Sequence, residues 1–350
     1  MRAPGIDVLV RGAGPVGCAA ALALAHSGLA VRIVTTRDPK PSFRPIALSY
    51  ASRLILERLG VWPGLRTTPI ETIQVSQQQG FGRMRMEAAD AGVPELGYVT
   101  EYDGLHDVLR AACERLLVRE QAQARLVVHA EGVSPAAREK RYAQDALVAL
   151  VHTEPAAGTA AFERFTPQGP LALLPLAGRY AVIWSCRPER ALALREASEQ
   201  RFLEELARAA GQRAGRPIAV GARAVHPLML RVQRARAGAR EVYIGNAAQT
   251  LHPVAGQGLN LGLRDAWELA AAIFDAADPG EERVLARYAA RRRLDAQATI
   301  RITDMLAGAF LGSNRLARAA RGGALAALDM LPGPRRFFAR RMMFGASALP

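Results

Sequence analysis

The sequence predicts an α/β protein in which a parallel-sheet domain opens the chain, a mixed or antiparallel β-sheet domain is interleaved with it, and helices close it. Three observations carry this. Strand, glycine turn, helix, glycine stop and second strand fit within the first 34 residues. Residues 142–235 alternate short apolar runs with Gly and Pro turns. Helical apolar spacing dominates from residue 260 onward. No repeat and no long linker interrupts the chain, so the second domain is expected within the first.

In order, Ile6–Val10 reads as a strand, 15–27 as an alanine- and leucine-rich helix stopped by Gly28, and Ala30–Val34 as a strand. This βαβ unit implies parallel pairing and a right-handed crossover. Residues 51–59 have helical spacing, 70–86 alternate like sheet around a Gln77–Gly80 turn, 102–117 read as a helix and 125–130 as a strand. Strands follow at 146–151, 162–165, 171–176 and 180–185, then an amphipathic helix at 194–210 and a strand at 241–244. The expected division is 1–70, 98–140 and 236–300 for the first domain, 71–97 and 141–235 for the second, and 301–350 for a basic helical tail.

Half of the 350 residues are hydrophobic, which suits a large core and excludes a disordered or fibrous chain. The formal charge of +14 invites an anionic partner, but only Lys40 and Lys140 are lysines, and an arginine- and alanine-rich composition accounts for much of the basicity. No nucleic-acid module is recognisable. Cys18, Cys113 and Cys186 are too scattered for a zinc site or a disulfide framework, which fits a reducing compartment. Asp7, Arg11 and the glycines at 12, 14 and 17 break up what would otherwise pass for a signal peptide, and no stretch is long and apolar enough to span a membrane. The expected location is cytoplasmic, and the tail offers contact with the inner face of the membrane. From 311 on it carries seven arginines against one acid, Asp329, interleaved with Leu, Phe and Met, a pattern that suits either a membrane surface or arginines covering a packed helix.

Gly12-Ala13-Gly14-Pro15-Val16-Gly17 is a G-x-G-x-x-G pattern after a strand and at the start of a helix, a Rossmann-like context. The first glycine permits the turn, the second lets backbone approach a pyrophosphate, the third allows close helix packing, and the phosphates sit at the positive end of the helix. The motif alone does not choose between NAD and FAD. Thr35 stands where a ribose-binding acid is expected, with Asp38 slightly late, and Arg11 occupies a usually apolar strand end. A neutral hydroxyl binds ribose without the charge-assisted strength of a carboxylate.

A second segment runs Gly245-Asn246-Ala247-Ala248-Gln249-Thr250-Leu251-His252-Pro253-Val254-Ala255-Gly256-Gln257-Gly258-Leu259-Asn260. It resembles the flavin-contacting segment of class A FAD-dependent aromatic hydroxylases, G-D-A-A-H…P-x-x-G-x-G-x-N. Its Asn246 and Gln249–Pro253 resemble the ubiquinone-biosynthesis branch, in particular the 2-octaprenyl-6-methoxyphenol hydroxylases. On physical grounds a Pro-x-x-Gly-x-Gly loop opening a helix offers unhindered N–H groups to the pyrimidine edge of a flavin, and Asn246 reaches toward its ribityl or phosphate region.

The resemblance implies a Rossmann-like FAD-binding domain interleaved with the substrate domain, FAD and NAD(P)H as cofactors, and a polyprenyl phenol and O2 as substrates. NAD(P)H reduces the flavin, and a C4a-hydroperoxide hydroxylates the ring. It places Gly256 to Asn260 along the isoalloxazine, with Pro253 and His252 nearby, and counts Gly245 among the cofactor-binding residues. His252 is a candidate catalytic proton handler, or equally a structural hydrogen-bonder. Phe43 to Ser49 and Leu59-Gly60-Val61-Trp62 resemble further family segments. The family's equivalent of Arg44 lies near the flavin, although a surface cation reads the same. Phe162 to Pro170 resemble the family's substrate-domain strand and turn.

Two departures stand out. The family's Asp-Gly pair beside the pyrophosphate appears as Glu131-Gly132. Between Leu105 and Arg125 roughly thirty residues are missing relative to the family, enough for two or three strands. Their loss would expose an edge or call for a partner chain. These departures favour a rival reading, a non-catalytic accessory subunit of a membrane-associated ubiquinone-biosynthesis complex. An NAD-dependent dehydrogenase would explain the first motif but not the second.

Overall fold

The computed structural model of the chain describes residues 5–35, 43–119, 123–132, 137–251, 256–311 and 315–345, with the backbone alone for 302–311 and 315–317. β1 (Ile6–Arg11), α1 (Pro15–His26) and β2 (Val31–Val34) form the expected βαβ unit, with β1 and β2 parallel. Pro15 starts α1 where its missing N–H costs nothing. Next come β3 (Pro45–Ser49), α2 (Tyr50–Arg58), β4 (Thr68–Ile70), β5 (Thr72–Gln77), β6 (Arg83–Glu87), α3 (Ala88–Ala91), β7 (Gly97–Glu101) and α4 (Tyr102–Ala112). β8 (Leu117–Val118), β9 (Ala124–His129), β10 (Ala137–Glu154), β11 (Ala160–Thr166), β12 (Gly169–Leu176) and β13 (Arg179–Cys186) lead to α5 (Pro188–Glu196) and α6 (Glu199–Ala210). Beyond them lie β14 (Arg216–Gln233), β15 (Ala237–Gly238), β16 (Glu241–Tyr243), β17 (Gln249–Thr250), α7 (Gln257–Ile273), α8 (Glu282–Leu311), α9 (Arg315–Met330) and α10 (Pro332–Phe344).

Three sheets result. The first, in the order β15-β16-β9-β1-β2-β8, is parallel except for the β15–β16 hairpin. The second, β17-β14-β10-β13-β12-β11-β5-β6, is antiparallel except where β5 runs parallel to β11. The third, β3-β7-β4, lies between them in sequence and shares buried side chains with both.

Several elements differ from expectation for local reasons. The helix expected over 194–210 is two helices, because Ser198 caps α6 with its hydroxyl accepting from Arg201 N at 3.3 Å. The helix expected to Leu117 stops at Ala112, and the chain turns into β8. β14 is an unforeseen 18-residue strand, hidden by Pro217, Gly221 and Pro227. It tolerates them because only Arg231 and Val232 pair on its outer side. α8 passes position 300 without a break.

Val8, Val10, Val31, Ile33, Leu126, Val128 and Val242 point to one side of the parallel sheet and pack against α1, α2, α4, α7 and α8. Strand alternation puts Asp7, Arg11, Arg32, Arg125, His129, Glu241 and Tyr243 on the other side. Leu9 and Val34 are buried there but join no packed cluster among the described residues. Arg125 pairs with Asp7 at 3.1 Å and Asp278 at 3.4 Å, and the His129 ring stacks on Tyr243. β8 ends at Val118 and β9 begins at Ala124, so the strands expected between them are missing. A charged face stands where a parallel sheet is normally covered on both sides.

Candidate active site

The first glycine loop is fixed by steric limits at two of its glycines. Gly12 has φ +104°, and a Cβ there would lie 2.6 Å from the Ala130 carbonyl oxygen, so the end of β9 with Glu131 and Gly132 presses directly on the turn. A Cβ on Gly17 would lie 2.0 Å from the Gly12 carbonyl oxygen. Gly14 is the opposite case. Its missing Cβ would meet nothing nearer than the Tyr102 hydroxyl at 3.8 Å. The loop is also tied from behind: the Ala13 carbonyl accepts from Cys18 Sγ at 3.3 Å and from buried His106 Nε2 at 3.0 Å, which must carry the proton because a carbonyl only accepts. No side chain caps α1, so its first N–H groups are left for an anion.

The second glycine segment is built against the first. Added Cβ atoms on Gly245 and Gly262 would lie 2.9 and 2.7 Å from the Val16 side chain, so two motifs some 230 residues apart in sequence close onto one α1 turn. Asp265 holds the segment from below. One carboxylate oxygen accepts from Gly245 N at 3.2 Å and Gln249 Nε2 at 2.7 Å, the other from Arg292 Nε at 2.7 Å and Arg236 at 3.3 Å. Full burial alone would raise this carboxyl, but Arg236 and Arg292 hold it below the usual carboxylate range.

Gly256 opens α7 in the left-handed conformation at φ +59°, and no side chain caps that helix either. Asn260 Oδ1 accepts from Ser49 N at 2.8 Å and Ser52 Oγ at 2.7 Å, while Nδ2 donates to Ala47 O at 2.9 Å and Gly256 O at 2.8 Å. All four of its hydrogen-bonding positions are thus used inside the protein, and it braces the loop against β3. A Cβ on Gly258 would meet nothing within 4 Å.

The other sequence candidates distribute around these two loops. Thr35 follows β2 directly, Asn246 is exposed, Gln257 is buried and Leu259 is half-buried against the helical core. The Arg44 guanidinium lies 4.5 Å over the Tyr102 ring, and Tyr102 N donates to Arg44 O, which brings Arg44, Tyr102 and Gly14 together. Glu131 is exposed, with an oxygen 3.3 Å from His129 Nδ1. His252 and Pro253 lie outside the described residues. Sequence reasoning missed Tyr102, Asp265 and His106. Asp265, immediately beyond the glycine segment, was the one with a readable signal.

One side of the eight-stranded sheet meets the third sheet, where β12 touches β4 and β7, and the third sheet in turn reaches the second loop through Ala47 beside Gly256. The other side is sealed by α5 and α6 through Leu147, Val182, Trp184, Phe202 and Leu206. On the first, partly covered side, register aligns Val75, Glu163, Ala172, Ile183, Val148 and Ala224 in one row, with Ala146 and His226 in the next. Phe43, Tyr50, Val99 and Phe344 belong to the apolar cluster that covers its Ala161–Phe165 end. Burial, reinforced by Arg44, holds His226 below the usual histidine value, so its ring is neutral at pH 7.

A family model described as an FAD binding domain matches residues 118–303. The chain is 30% identical to the ubiquinone hydroxylase UbiL of Rhodospirillum rubrum over 383 residues, covering 96% of this chain and 89% of that protein. It is 30% identical to the 3-demethoxyubiquinol 3-hydroxylase of Escherichia coli, covering 83% and 86%. This chain belongs to the family of FAD-dependent ubiquinone-biosynthesis hydroxylases. The hydroxylase also shares its fold with the p-nitrophenol 4-monooxygenase PnpA of Pseudomonas putida, at TM-score 0.78 and 18% identity over 98% of this chain and 99% of that one. HpxO of Klebsiella pneumoniae, solved with FAD, gives TM-score 0.77 at 14% identity over 98% and 100%. The alignment with UbiL has 383 positions, more than the 350 of this hydroxylase, as a shortened chain requires.

The enzyme is an FAD-dependent aromatic monooxygenase, and its residues fit the cofactor. Two helices carry uncapped N-termini, and at each a glycine whose added Cβ would meet no close atom, Gly14 or Gly258, opens a path for a ligand to approach backbone. Among the described residues no helix is long and apolar enough to cross a membrane.

Proposed function

We propose that the enzyme hydroxylates the ring of a polyprenylated phenol in ubiquinone biosynthesis, with NAD(P)H as reductant and O2 as the oxygen source. The observation that carries the reading is the pairing of two uncapped, glycine-opened helix ends with an unsealed apolar sheet face. Gly12, Gly14, Gly17, Thr35, Glu131 and Gly132 hold the nucleotide half of FAD, with the pyrophosphate over Gly14. Arg44, Gly245, Asn246 and the Gly256–Asn260 turn border the flavin half, together with Pro253 and His252. Bound FAD supplies electron transfer from NAD(P)H and activation of O2. The chain's own residues bind and orient the ring and exclude water.

In this reading the segments 1–70, 98–140 and 236–300 form the FAD-binding domain, and 71–97 with 141–235 the substrate domain. Exposed Met330, Leu331 and Phe337 beside the tail arginines supply contact with the membrane that holds a prenylated substrate, which co-sedimentation with anionic vesicles tests.

The deciding experiment is the visible spectrum of the purified protein, before and after Gly258→Val. A Cβ at this position meets no protein atom within 4 Å, whereas in the proposed site the side chain meets the flavin, so the variant is expected to fold but to lose FAD. Stoichiometric FAD in the variant would sink the assignment. A folded wild type that takes up no FAD would turn attention to the accessory-subunit reading.

A further inference from the structure

Glu163 is out of place chemically. It lies on β11 between Ala161 and Phe165, both in the apolar cluster under the third sheet and the C-terminal helices. Its neighbours in the row across the sheet are Val75 and Ala172, with Ile183 and Val148 beyond. Its side chain is nevertheless only partly buried, as are Val75, Ala172 and Ile183 in the same row. The charged and titratable groups on the elements packed over this face are accounted for elsewhere. Arg44 stacks on Tyr102, and His226 lies at the far edge of the face. Arg321 donates to Gln77 and Arg318 accepts from Gln77 through its carbonyl, while Arg335 and Arg341 pair with Asp90 and Asp295. Among the described residues none of them is bonded to Glu163. A carboxyl in apolar surroundings with no cation is costly to the fold, and such groups concentrate at functional sites.

We propose that Glu163 is a catalytic residue that accepts the proton of the substrate's phenolic hydroxyl in the pocket between the eight-stranded sheet and the flavin. The inference rests on the reading of the chain as a phenol hydroxylase. The phenol O–H bond breaks as a carboxyl O–H bond forms, and the negative charge moves from Glu163 to the ring, enriching the carbons ortho and para to the oxygen. The oxygenated product takes the proton back. Burial pushes the Glu163 carboxyl up to about 7, bringing it closer to a phenol in proton affinity, as efficient general-base transfer requires.

The test titrates 4-nitrophenol, whose phenolate and phenol absorb at different wavelengths, bound to the FAD-loaded enzyme. With Glu163 against its oxygen the pair shares protons, so the phenolate band grows in two separated steps as pH rises. In Glu163→Gln it grows in one. Turnover of a prenylated phenol should fall by roughly 100-fold in Glu163→Gln and lose its acid limb, with FAD content unchanged, and recover in part in Glu163→Asp. Identical single-step titrations in wild type and variant, with the ligand bound in both, overturn the role of Glu163. Failure of the FAD-loaded wild type to bind any phenol overturns instead the phenol-hydroxylase reading, and the inference falls with it.

Discussion

Each of the two large sheets has one face sealed by helices and one that is only partly covered, and these two partly unsealed faces are opposites in chemistry. On the parallel sheet the unsealed face carries Asp7, Arg32, Arg125, His129 and Glu241, several paired with one another. On the eight-stranded sheet it carries Val75, Ala172, Ile183, Val148 and Ala224, with one carboxyl, Glu163, that has no partner among the described residues. A charged, self-paired face suits water, while an apolar face with a single carboxyl suits the ring that the proposed function places there. The charge also explains how the chain does without the missing strands: it solvates the face they would have covered.

The sharpest way to break this contrast is a pair of substitutions one residue apart on β9. Val128 is fully buried against the helices. Val128→Asp puts an unpaired carboxylate into that core and should cost about 4 kcal/mol or more, enough to abolish soluble expression. Val127 points to the charged face, so Val127→Lys should change stability by less than about 1 kcal/mol in urea denaturation. Equal losses from the two would mean that both faces are sealed.

The other unsealed face should respond in activity rather than stability. Ala172 is half-buried beside Glu163, so on the proposed function Ala172→Phe crowds the place of the ring. We expect kcat/KM for the phenol to fall about 100-fold, near 2.7 kcal/mol of transition-state binding, with FAD content and melting temperature almost unchanged. Loss of FAD in the variant would place the flavin, not the substrate, against β12.

How much of this was legible in the sequence follows from the range of the interactions involved. The first βαβ unit and the two glycine segments are local patterns and read directly, down to which helix each opens. The closing of both segments onto Val16 is a contact across more than two hundred positions and leaves no local trace. The division of α5 from α6 was readable at Ser198, whereas β14 was masked by prolines whose tolerance depends on a nearly free sheet edge. Glu163 was visible only as one letter in a family-like strand. Its isolation emerges when four other strands supply apolar partners.

A smaller effect separates the lone carboxyl from the paired ones. The folded state raises Glu163 from 4.5 to about 7, so between those values the native protein holds a proton that the unfolded chain has lost, and stability falls as pH rises through that window. Glu163→Gln removes the penalty. The variant should be more stable than wild type by about 1–3 kcal/mol at pH 8 and equal to it near pH 4, as urea midpoints across pH would reveal. A difference that does not vary with pH would mean that the carboxyl is solvated after all.

The smallest effect lies on the charged face. Arg125→Ala breaks the pairs with Asp7 and Asp278, both partly solvated, and should cost less than about 1 kcal/mol. Asp278 keeps Arg240 at 2.7 Å, whose hydrogen bond holds its carboxyl below the usual range. That contribution is in place at neutral pH and is lost only as pH falls through the lowered value. The cost of Arg125→Ala should therefore shrink as salt is added at pH 7, because exposed pairs are screened, while Asp278 stays ionised throughout. A larger, salt-insensitive cost would mean that this face is covered in solution, and it would favour a partner chain in place of the missing strands.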